Sequence, residues 1–307
     1  MLGDINVGAF GRVQKILRKE DKRVLVWKEL DYGRMSDREK QQCISEVSII
    51  KELRHPHIVK YYDRIIDRQR QKIYIVQEFC EGGDLAEIIK RCKKTNDYIA
   101  EDVIWKILMQ IIMALYECHR RKEGKVLHRD LKPGNIFLDA NKNVKLGDFG
   151  LSRVMGIESC ATSNVGTPYY MSPEQINESK YNEKSDIWSA GCILYEMAAL
   201  HPPFQAKNPL SLAIKIKEGN ISRLPERYSE ELQRVTARML SVDQTKRPDV
   251  EDLLNLPQIS LRRRERKLRE NLTILKRKEE ELRKREMLLR EREEAATLRL
   301  REVEERE

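Results

Sequence analysis

Residues that can do chemistry stand close together in the segment VLHRDLKPGNIFLD at 126–139. Asp130 is followed two positions later by Lys132 and five positions later by Asn135, and an Asp-Phe-Gly triplet begins at Asp148. The side-chain oxygens of Asn135 and Asp148 are of the type that binds Mg²⁺ on nucleotide phosphates. Asp130 can accept a hydrogen bond from an incoming hydroxyl, and Lys132 can offset charge on a moving phosphoryl group. This set of residues indicates phosphoryl transfer.

Strands are predicted in the first part of the chain, before this cluster. The segments 24–30 and 72–79 are rich in β-branched and aromatic residues. A helix is predicted between them, because Ser36 and Glu39 form a capping box and apolar residues follow at helical spacing up to Leu53. We therefore expect a small strand-rich part that ends near Phe79.

The character of the sequence changes to helices after the Gly-Gly turn at 81–85. Apolar residues at helical spacing mark a buried helix at 104–115, and the segment 184–200 is too apolar to lie on a surface. These helices predict a larger helical part up to Ser260, so the fold class is α+β.

The tail repeats with a period of seven residues. Leu, Ala or Val recurs at every seventh position from Leu261 to Val303, whereas the complementary core positions are mostly Glu. This pattern predicts a coiled coil over 261–307 and a homodimer through it. A solvated single helix stabilised by pairs of opposite charge four positions apart remains the alternative.

Charge and cysteine usage narrow the classes of protein. The tail holds 17 Lys or Arg and 13 Glu, and residues 1–260 hold 42 Lys or Arg and 37 acidic residues, so both parts mix the two signs. We therefore expect no nucleic-acid partner.

The six cysteines form no Cys-x-x-Cys pair, which favours reduced thiols in a cytoplasmic or nuclear protein. No signal peptide or long apolar run is evident, so we expect a soluble protein with no membrane partner.

The motifs together resemble the eukaryotic protein kinases over residues 5–257. GAFGRV at 8–13 is similar to the glycine-rich loop over the nucleotide, SPE at 172–174 to the Ala-Pro-Glu element, and DIWSAG at 186–191 to the helix motif that follows. The resemblance implies a bilobal protein-kinase domain at 1–260, with the N-lobe at 1–79 and the C-lobe at 80–260. A coiled-coil helix at 261–307 would follow.

The resemblance also assigns roles at the site. Lys28 would contact the α- and β-phosphates of ATP, Glu46 would be its ion-pair partner, and both would act with Asp130 and Lys132 as catalytic residues. Asn135 and Asp148 would hold Mg²⁺. The positions expected to contact ATP are Ile5, Asn6, Gly8, Gly11, Val13, Lys28, Glu78 and Cys80.

Several positions depart from the family pattern. Asn6 stands where the first glycine of the loop is usual, and the first strand is expected to be short or truncated. Val26 replaces a smaller residue against adenine, and Gln77 guards the back of the pocket, where an apolar residue is commoner. Away from the nucleotide, the resemblance implies that Asp186 braces the catalytic loop and that Glu174 pairs with Arg247.

Lys132 and the substrate-loop residue Thr167 resemble Ser/Thr kinases, so protein Ser or Thr would be the acceptor. Segments such as LVWKELDYG at 25–33 and QEFCEGGDL at 77–85 look like the NIMA-related kinases. That likeness implies a mitotic role in centrosome and microtubule organisation. It also implies a cytoplasmic location at the centrosome or cytoskeleton, with a nuclear fraction.

Activation by phosphorylation is expected between Ser159 and Ser163, within the activation segment Asp148 to Glu174. Arg129 precedes Asp130, where such kinases commonly grip a phosphate on this segment. The candidate phosphosites are Ser159, Thr162 and Ser163. Two other functions stay open: a pseudokinase scaffold that recruits partners through its tail, and a kinase for small molecules.

Overall fold

The computed structural model describes residues 3–8, 11–33, 35–36, 40–41, 51–148, 168–177 and 179–304. The chain divides into two compact units that meet in sequence between Leu256 and Pro257. Glu46 and the activation-segment residues Ser159, Thr162, Ser163 and Thr167 lie outside the described residues.

A five-stranded antiparallel sheet forms the first part of the larger unit. Its strands follow in space the order β1-β2-β3-β5-β4. Their bounds are β1 Gly3–Gly8, β2 Gly11–Leu17, β3 Val24–Asp31, β4 Tyr61–Asp67 and β5 Lys72–Glu78.

The two strands predicted from β-branched and aromatic residues are confirmed as β3 and β5. They are neighbours in the centre of the sheet and bury Leu25, Leu30 and Ile75. The predicted helix between β3 and β4 is described only at its ends. The N–H of Lys40 donates to the Ser36 carbonyl at 2.9 Å, which is the spacing of a helical turn. Glu39 of the predicted capping box lies outside the described residues.

Helices make up most of the second part of this unit. They are α1 Leu85–Thr95, α2 Glu101–His119, α3 Pro173–Ile176, α4 Glu183–Ala199, α5 Pro209–Glu218, α6 Glu230–Met239 and α7 Val250–Leu254. A short hairpin of β6 (Ile136–Leu138) and β7 (Val144–Leu146) lies between α2 and α3 in the sequence.

The two predicted buried helices are confirmed as α2 and α4. In α2, Ile104, Leu108 and Ile111 are fully buried, as their helical spacing predicted. Helix α4 begins after Asn182, whose side chain accepts a hydrogen bond from the Lys184 N–H at 2.8 Å. The predicted catalytic loop lies between these two helices in the sequence.

The second unit is one helix, α8, at Pro257–Glu304. It begins at a proline, which suits the first turn of a helix, four residues before Leu261. Pairs of opposite charge four positions apart stabilise it, including Arg266 with Glu270 at 2.7 Å. Among the described residues, no helix is both long enough and apolar enough to cross a membrane.

Candidate active site

Two polar residues of the predicted catalytic loop, Lys132 and Asn135, both contact Asp130. Lys132 Nζ donates to the Asp130 carboxylate at 2.8 Å, and Asn135 Nδ2 donates to the same oxygen at 2.9 Å. Asn135 Nδ2 also donates to the Asp130 backbone carbonyl at 2.7 Å. The Asp130 side chain is still 23% exposed, so a substrate hydroxyl can reach it.

A short 3₁₀ helix at Pro133–Asn135 explains this contact. The proline starts the turn, and the Asn135 N–H donates to the Lys132 carbonyl at 2.9 Å. The turn therefore brings Asn135 back towards Asp130, five residues earlier in the chain.

Asp186 holds the loop from beneath, at the start of α4. Its carboxylate is fully buried and accepts hydrogen bonds from the backbone N–H of His128 at 3.0 Å and of Arg129 at 3.1 Å. It also contacts the His119 ring at 2.8 Å and the Tyr181 hydroxyl. Burial alone would raise the pKa of Asp186, but the hydrogen bonds from His119 and Tyr181 hold it below its ordinary value. The bracing role that the resemblance implied for Asp186 is confirmed.

The same contacts fix an unusual backbone conformation. Arg129 has a φ of 69°, in the left-handed region that non-glycine residues rarely adopt. Two hydrogen bonds to Asp186 flank this peptide unit, and they offset the conformational cost. This conformation of Arg129 turns the chain sharply just before Asp130.

His128 connects the catalytic loop to the residue before Asp148. Its ring is fully buried, with Nε2 2.8 Å from the Gly147 carbonyl and Nδ1 3.3 Å from the Asp130 N–H. Nδ1 must be unprotonated to accept from Asp130, so Nε2 carries the proton and the ring is neutral. Burial lowers the pKa of His128, which is consistent with this neutral form.

The β6–β7 hairpin brings the two proposed metal ligands together. Ile136 pairs with Leu146, and the Gly147 N–H donates to the Asn135 carbonyl at 3.1 Å. Asn135 and Asp148 therefore extend from the same end of the hairpin. Because Asn135 uses its amide nitrogen on Asp130, its amide oxygen is the atom left for a metal. An amide oxygen beside a carboxylate is a donor set that fits Mg²⁺.

Lys28 reaches this group of residues from the sheet. It lies on β3, is 4% exposed, and its Nζ is 2.9 Å from Asp148 Oδ1. The expected partner Glu46 lies outside the described residues. The sequence did not predict the contact with Asp148, because no local pattern relates two residues 120 positions apart. The only available signal was that both belong to motifs of the same family.

The glycine-rich segment forms the first hairpin of the sheet. Gly8 faces Gly11 across β1 and β2, and Asn6 faces Val13. Ile5 falls at an irregularity in the register between Asp4 and Asn6. The unusual Asn6 therefore lies within a strand directly after a bulge, on the edge strand of the sheet.

The remaining expected nucleotide contacts lie at and after the end of β5. The Glu78 carboxylate bonds Lys145 Nζ at 2.8 Å, and its backbone N–H donates to the Lys60 carbonyl at 2.9 Å. Burial raises the pKa of the Cys80 thiol to about 12, so the thiol stays protonated. We therefore expect Glu78 and Cys80 to contact adenine through their backbone groups rather than their side chains. In the register, Val26 faces Gln77, the two departures predicted at the pocket wall.

Glu174 and Arg247 form the predicted buried pair. Two guanidinium nitrogens of Arg247 donate to the two carboxylate oxygens of Glu174, at 2.7 and 2.8 Å. Burial opposes the charge, but the hydrogen bonds from Arg247 and Ser185 hold the pKa of Glu174 below its ordinary value. The pair joins α3 to the loop before α7.

A strand-rich lobe, a helical lobe and this arrangement of Lys28, Asp130 and Asp148 define the class of protein. A family profile described as Protein kinase domain matches residues 2–259. The chain therefore belongs to the protein kinase family.

Three similar proteins indicate the group of protein kinases to which the chain belongs. The chain is 53% identical over 268 residues to the probable serine/threonine-protein kinase nek2 of Dictyostelium discoideum, a match that covers 87% of this chain and 64% of that protein. It is 55% identical over 263 residues to the serine/threonine-protein kinase Nek2 of Homo sapiens, covering 85% and 59%. It is 43% identical over 292 residues to the G2-specific protein kinase nimA of Emericella nidulans, covering 87% and 42%.

These matches confirm the resemblance to the NIMA-related kinases, and they place the chain in that group. The chain spans about three fifths of the length of the two Nek2 relatives.

Proposed function

We propose that this protein is an ATP-dependent serine/threonine protein kinase. The observation that carries the proposal is the Asp130 carboxylate, held by Lys132 and Asn135 in a partly exposed loop beside Asp148. The two serine/threonine-kinase relatives, at 53% and 55% identity, support the reaction class.

In this mechanism Asp130 orients the Ser or Thr hydroxyl of the protein substrate and accepts its proton. Lys132, in contact with Asp130, offsets the charge that develops on the transferred phosphoryl group. Asn135 keeps the carboxylate in position through its amide nitrogen. Positioning and electrostatics of this kind supply most of what phosphoryl transfer needs.

The nucleotide would lie between the two lobes. Lys28 would bind the α- and β-phosphates, and Glu46 would orient it. The residues expected beneath and around the nucleotide are Ile5, Asn6, Gly8, Gly11, Val13, Glu78 and Cys80. Mg²⁺, held by Asn135 and Asp148, would neutralise phosphate charge when bound.

The experiment compares the wild-type chain with Asp148→Ala and with Asp97→Ala, an exposed aspartate far along the chain from the site. Each protein is incubated with Mg-ATP and a generic protein substrate, and phosphosites are mapped by mass spectrometry. We expect Ser or Thr phosphate from the wild type and from Asp97→Ala, and none from Asp148→Ala. Absence of transfer from all three would favour the pseudokinase scaffold. Transfer to metabolites but not to protein would favour a small-molecule kinase.

The cellular role we propose is in mitotic cell-cycle control, centrosome organisation and microtubule organisation. The cell-cycle part is supported by the name of one relative, the G2-specific protein kinase nimA, and the centrosome and microtubule parts rest on the resemblance of the motifs to the NIMA-related kinases. A tagged chain should be found in the cytoplasm and at centrosomes, with a nuclear fraction. A uniform distribution through the cell cycle would contradict this role.

The tail is proposed to form a homodimer through 261–307, and pairing would bring one kinase domain to another. Phosphorylation at Ser159, Thr162 or Ser163 would then be an activating step in trans, gripped by Arg129. Thr167 would contact the substrate.

A further inference from the structure

Helix α8 exposes a row of leucines that its own unit does not cover. Leu268, Leu275, Leu282 and Leu289 are spaced by seven residues and are 61%, 60%, 61% and 50% exposed. Residues at this spacing lie on one side of a helix. We call this row, together with Leu261 before it, the leucine stripe.

Basic side chains flank the leucine stripe on both sides. The flanking positions are those directly after, and three residues after, each of the five leucines and Ala296, the next residue at the same spacing. Ten of the twelve between 262 and 299 are Lys or Arg: Arg262, Arg264, Arg269, Lys276, Lys278, Arg283, Arg285, Arg290, Arg292 and Arg299.

The opposite side of the helix is electrically balanced. Between 263 and 294 it carries five basic residues and five acidic ones: Arg263, Arg266, Lys267, Arg277 and Lys284 against Glu270, Glu280, Glu281, Glu291 and Glu294. The net positive charge of the tail is therefore concentrated on the side of the leucine stripe.

Glutamates on the same side of the helix as the leucine stripe offset only part of the positive charge of the flanking residues. Glu265, Glu279, Glu286 and Glu293 occupy complementary core positions between the leucines. Glu265 lies 3.8 Å from Arg269, so it pairs within the helix. Four glutamates against ten basic residues leave a clear excess.

A second copy of the helix is therefore an imperfect partner. In a parallel pair Lys278 would face Arg283 of the second copy, and in an antiparallel pair each flanking row would face itself. Like charges at these positions oppose pairing, whereas opposite charges favour it and set partner choice. Salt screens the basic rows, so self-association should strengthen as the salt concentration rises.

We propose that the leucine stripe is a docking surface for an amphipathic helix of another protein with Glu or Asp along both flanks. Such a helix offers leucines to the stripe, acids to the basic rows and Lys or Arg opposite the core glutamates. A nucleic acid has no apolar row to match the stripe, and a membrane would bury the glutamates. The inference concerns the same leucines as the proposed homodimer, with which such a partner would compete, and it is independent of the proposed catalysis.

The first test compares peptide binding with self-association, because salt should weaken the first and strengthen the second. The full chain is titrated with a labelled helical peptide that has Leu in the core, Lys opposite the glutamates and Glu on both flanks. A second peptide with the same core and Lys on both flanks is the control. At about 0.05 M salt we expect the acidic-flank peptide to bind at least about tenfold more tightly, and this preference to shrink at about 0.5 M. Sedimentation of the chain alone should show self-association that strengthens over the same range.

The second test uses matched charge reversals. Arg269→Glu, Lys276→Glu and Arg283→Glu together change one flank, and Arg263→Glu, Arg277→Glu and Lys284→Glu change the opposite side by the same charge. We expect the first triple variant to lose the acidic peptide and the second to keep it, with helicity checked by circular dichroism. Equal loss in both would overturn the proposal, because net charge alone would explain binding. Self-association that weakens with salt and resists the acidic peptide would make a second copy the occupant.

Two further controls separate the alternatives. Equal affinity for anionic vesicles or RNA would also overturn the proposal. Kinase activity on a generic substrate is measured on the same preparations. It should be equal in both triple variants, so failure of catalysis and failure of docking are seen separately.

Discussion

At the scale of single residues, we propose two tasks for the one amide group of Asn135. Its nitrogen donates twice to Asp130, which would leave its oxygen for the proposed metal. An aspartate at this position would keep an oxygen ligand but lose both donated hydrogen bonds. It would also place a second negative charge beside Asp130.

Substitution of Asn135 by either Ala or Asp is therefore expected to lower kcat by about 100-fold or more. Steady-state phosphorylation of a protein substrate would measure this. Asn141→Ala, in the exposed turn of the β6–β7 hairpin, is the control and should retain kcat. If Asn135→Asp kept the wild-type kcat, an oxygen at this position would be sufficient, and the two hydrogen bonds donated to Asp130 would not be needed.

His128 makes the fold sensitive to acid. Its pKa is lowered in the folded protein, so between its unfolded and folded values the unfolded chain binds more protons. The stabilising contribution is complete above the ordinary histidine pKa, and it is lost as pH falls through the folded value.

For this reason we expect a smaller pH dependence of stability in His128→Leu. The free energy of unfolding, measured by denaturant titration from neutral to mildly acidic pH, should have a slope shallower by at most about 1.4 kcal/mol per pH unit. The absolute stability of the variant can be lower without affecting this comparison. Parallel curves for the two proteins would contradict the buried neutral form.

At the scale of elements, the β6–β7 hairpin aligns Asn135 with Asp148, and Gly147 is the tight point. A Cβ at Gly147 would lie 2.6 Å from the Phe137 ring and 3.2 Å from Val59. The neighbours must therefore move if any side chain is added.

Gly147→Ala should lower the free energy of unfolding by about 1–3 kcal/mol and reduce kcat, because the shifted backbone carries Asp148 with it. Gly134→Ala is the matched control, since nothing lies within 4 Å of its added Cβ. Thermal unfolding and initial rates would be measured on both. Equal stability of the two variants would show that the hairpin adjusts without cost.

The Glu174–Arg247 pair acts between elements of the helical lobe. Arg247 is 1% exposed and also donates to the backbone carbonyls of Ser241, Lys184 and Val242. Removal of the guanidinium would leave a buried carboxylate without its main partner.

Arg247→Met is therefore expected to cost about 3–5 kcal/mol of unfolding free energy. Arg120→Met is the control, since Arg120 pairs with Asp249 and Glu251 at the surface, where such pairs contribute about 0–1 kcal/mol. Denaturant unfolding would compare them. Similar losses in the two variants would show that burial does not decide the strength of the pair.

At the scale of the whole molecule, the catalytic unit and the α8 helix have separate tasks. Residues on both lobes of the catalytic unit meet through Lys28 and Asp148. In the proposed function, the tail would bring two chains together, which would raise the local concentration of one kinase domain for its neighbour.

Deletion of residues 261–307 should therefore slow autophosphorylation at low protein concentration and have little effect at high concentration. The rate would be followed by phosphosite mass spectrometry across a dilution series at physiological salt. Unchanged rates at every dilution would remove the role proposed for self-association.

The sequence by itself determined the fold class, the strands β3 and β5, the buried helices α2 and α4, and the long tail helix. The helices were predicted from apolar residues or charges at helical spacing and the strands from β-branched and aromatic residues, both of which are local signals. The order of the motifs also indicated the family and selected the residues of the site. Glu46 and the activation-segment phosphosites stay predictions.

Only the tertiary structure decided how these residues meet. The contact of Lys28 with Asp148, the four partners of Asp186 and the neutral ring of His128 join residues far apart in sequence. No local pattern encodes such contacts, because they depend on how strands and helices pack. The burial that sets the pKa of His128 and Asp186 arises from the same packing.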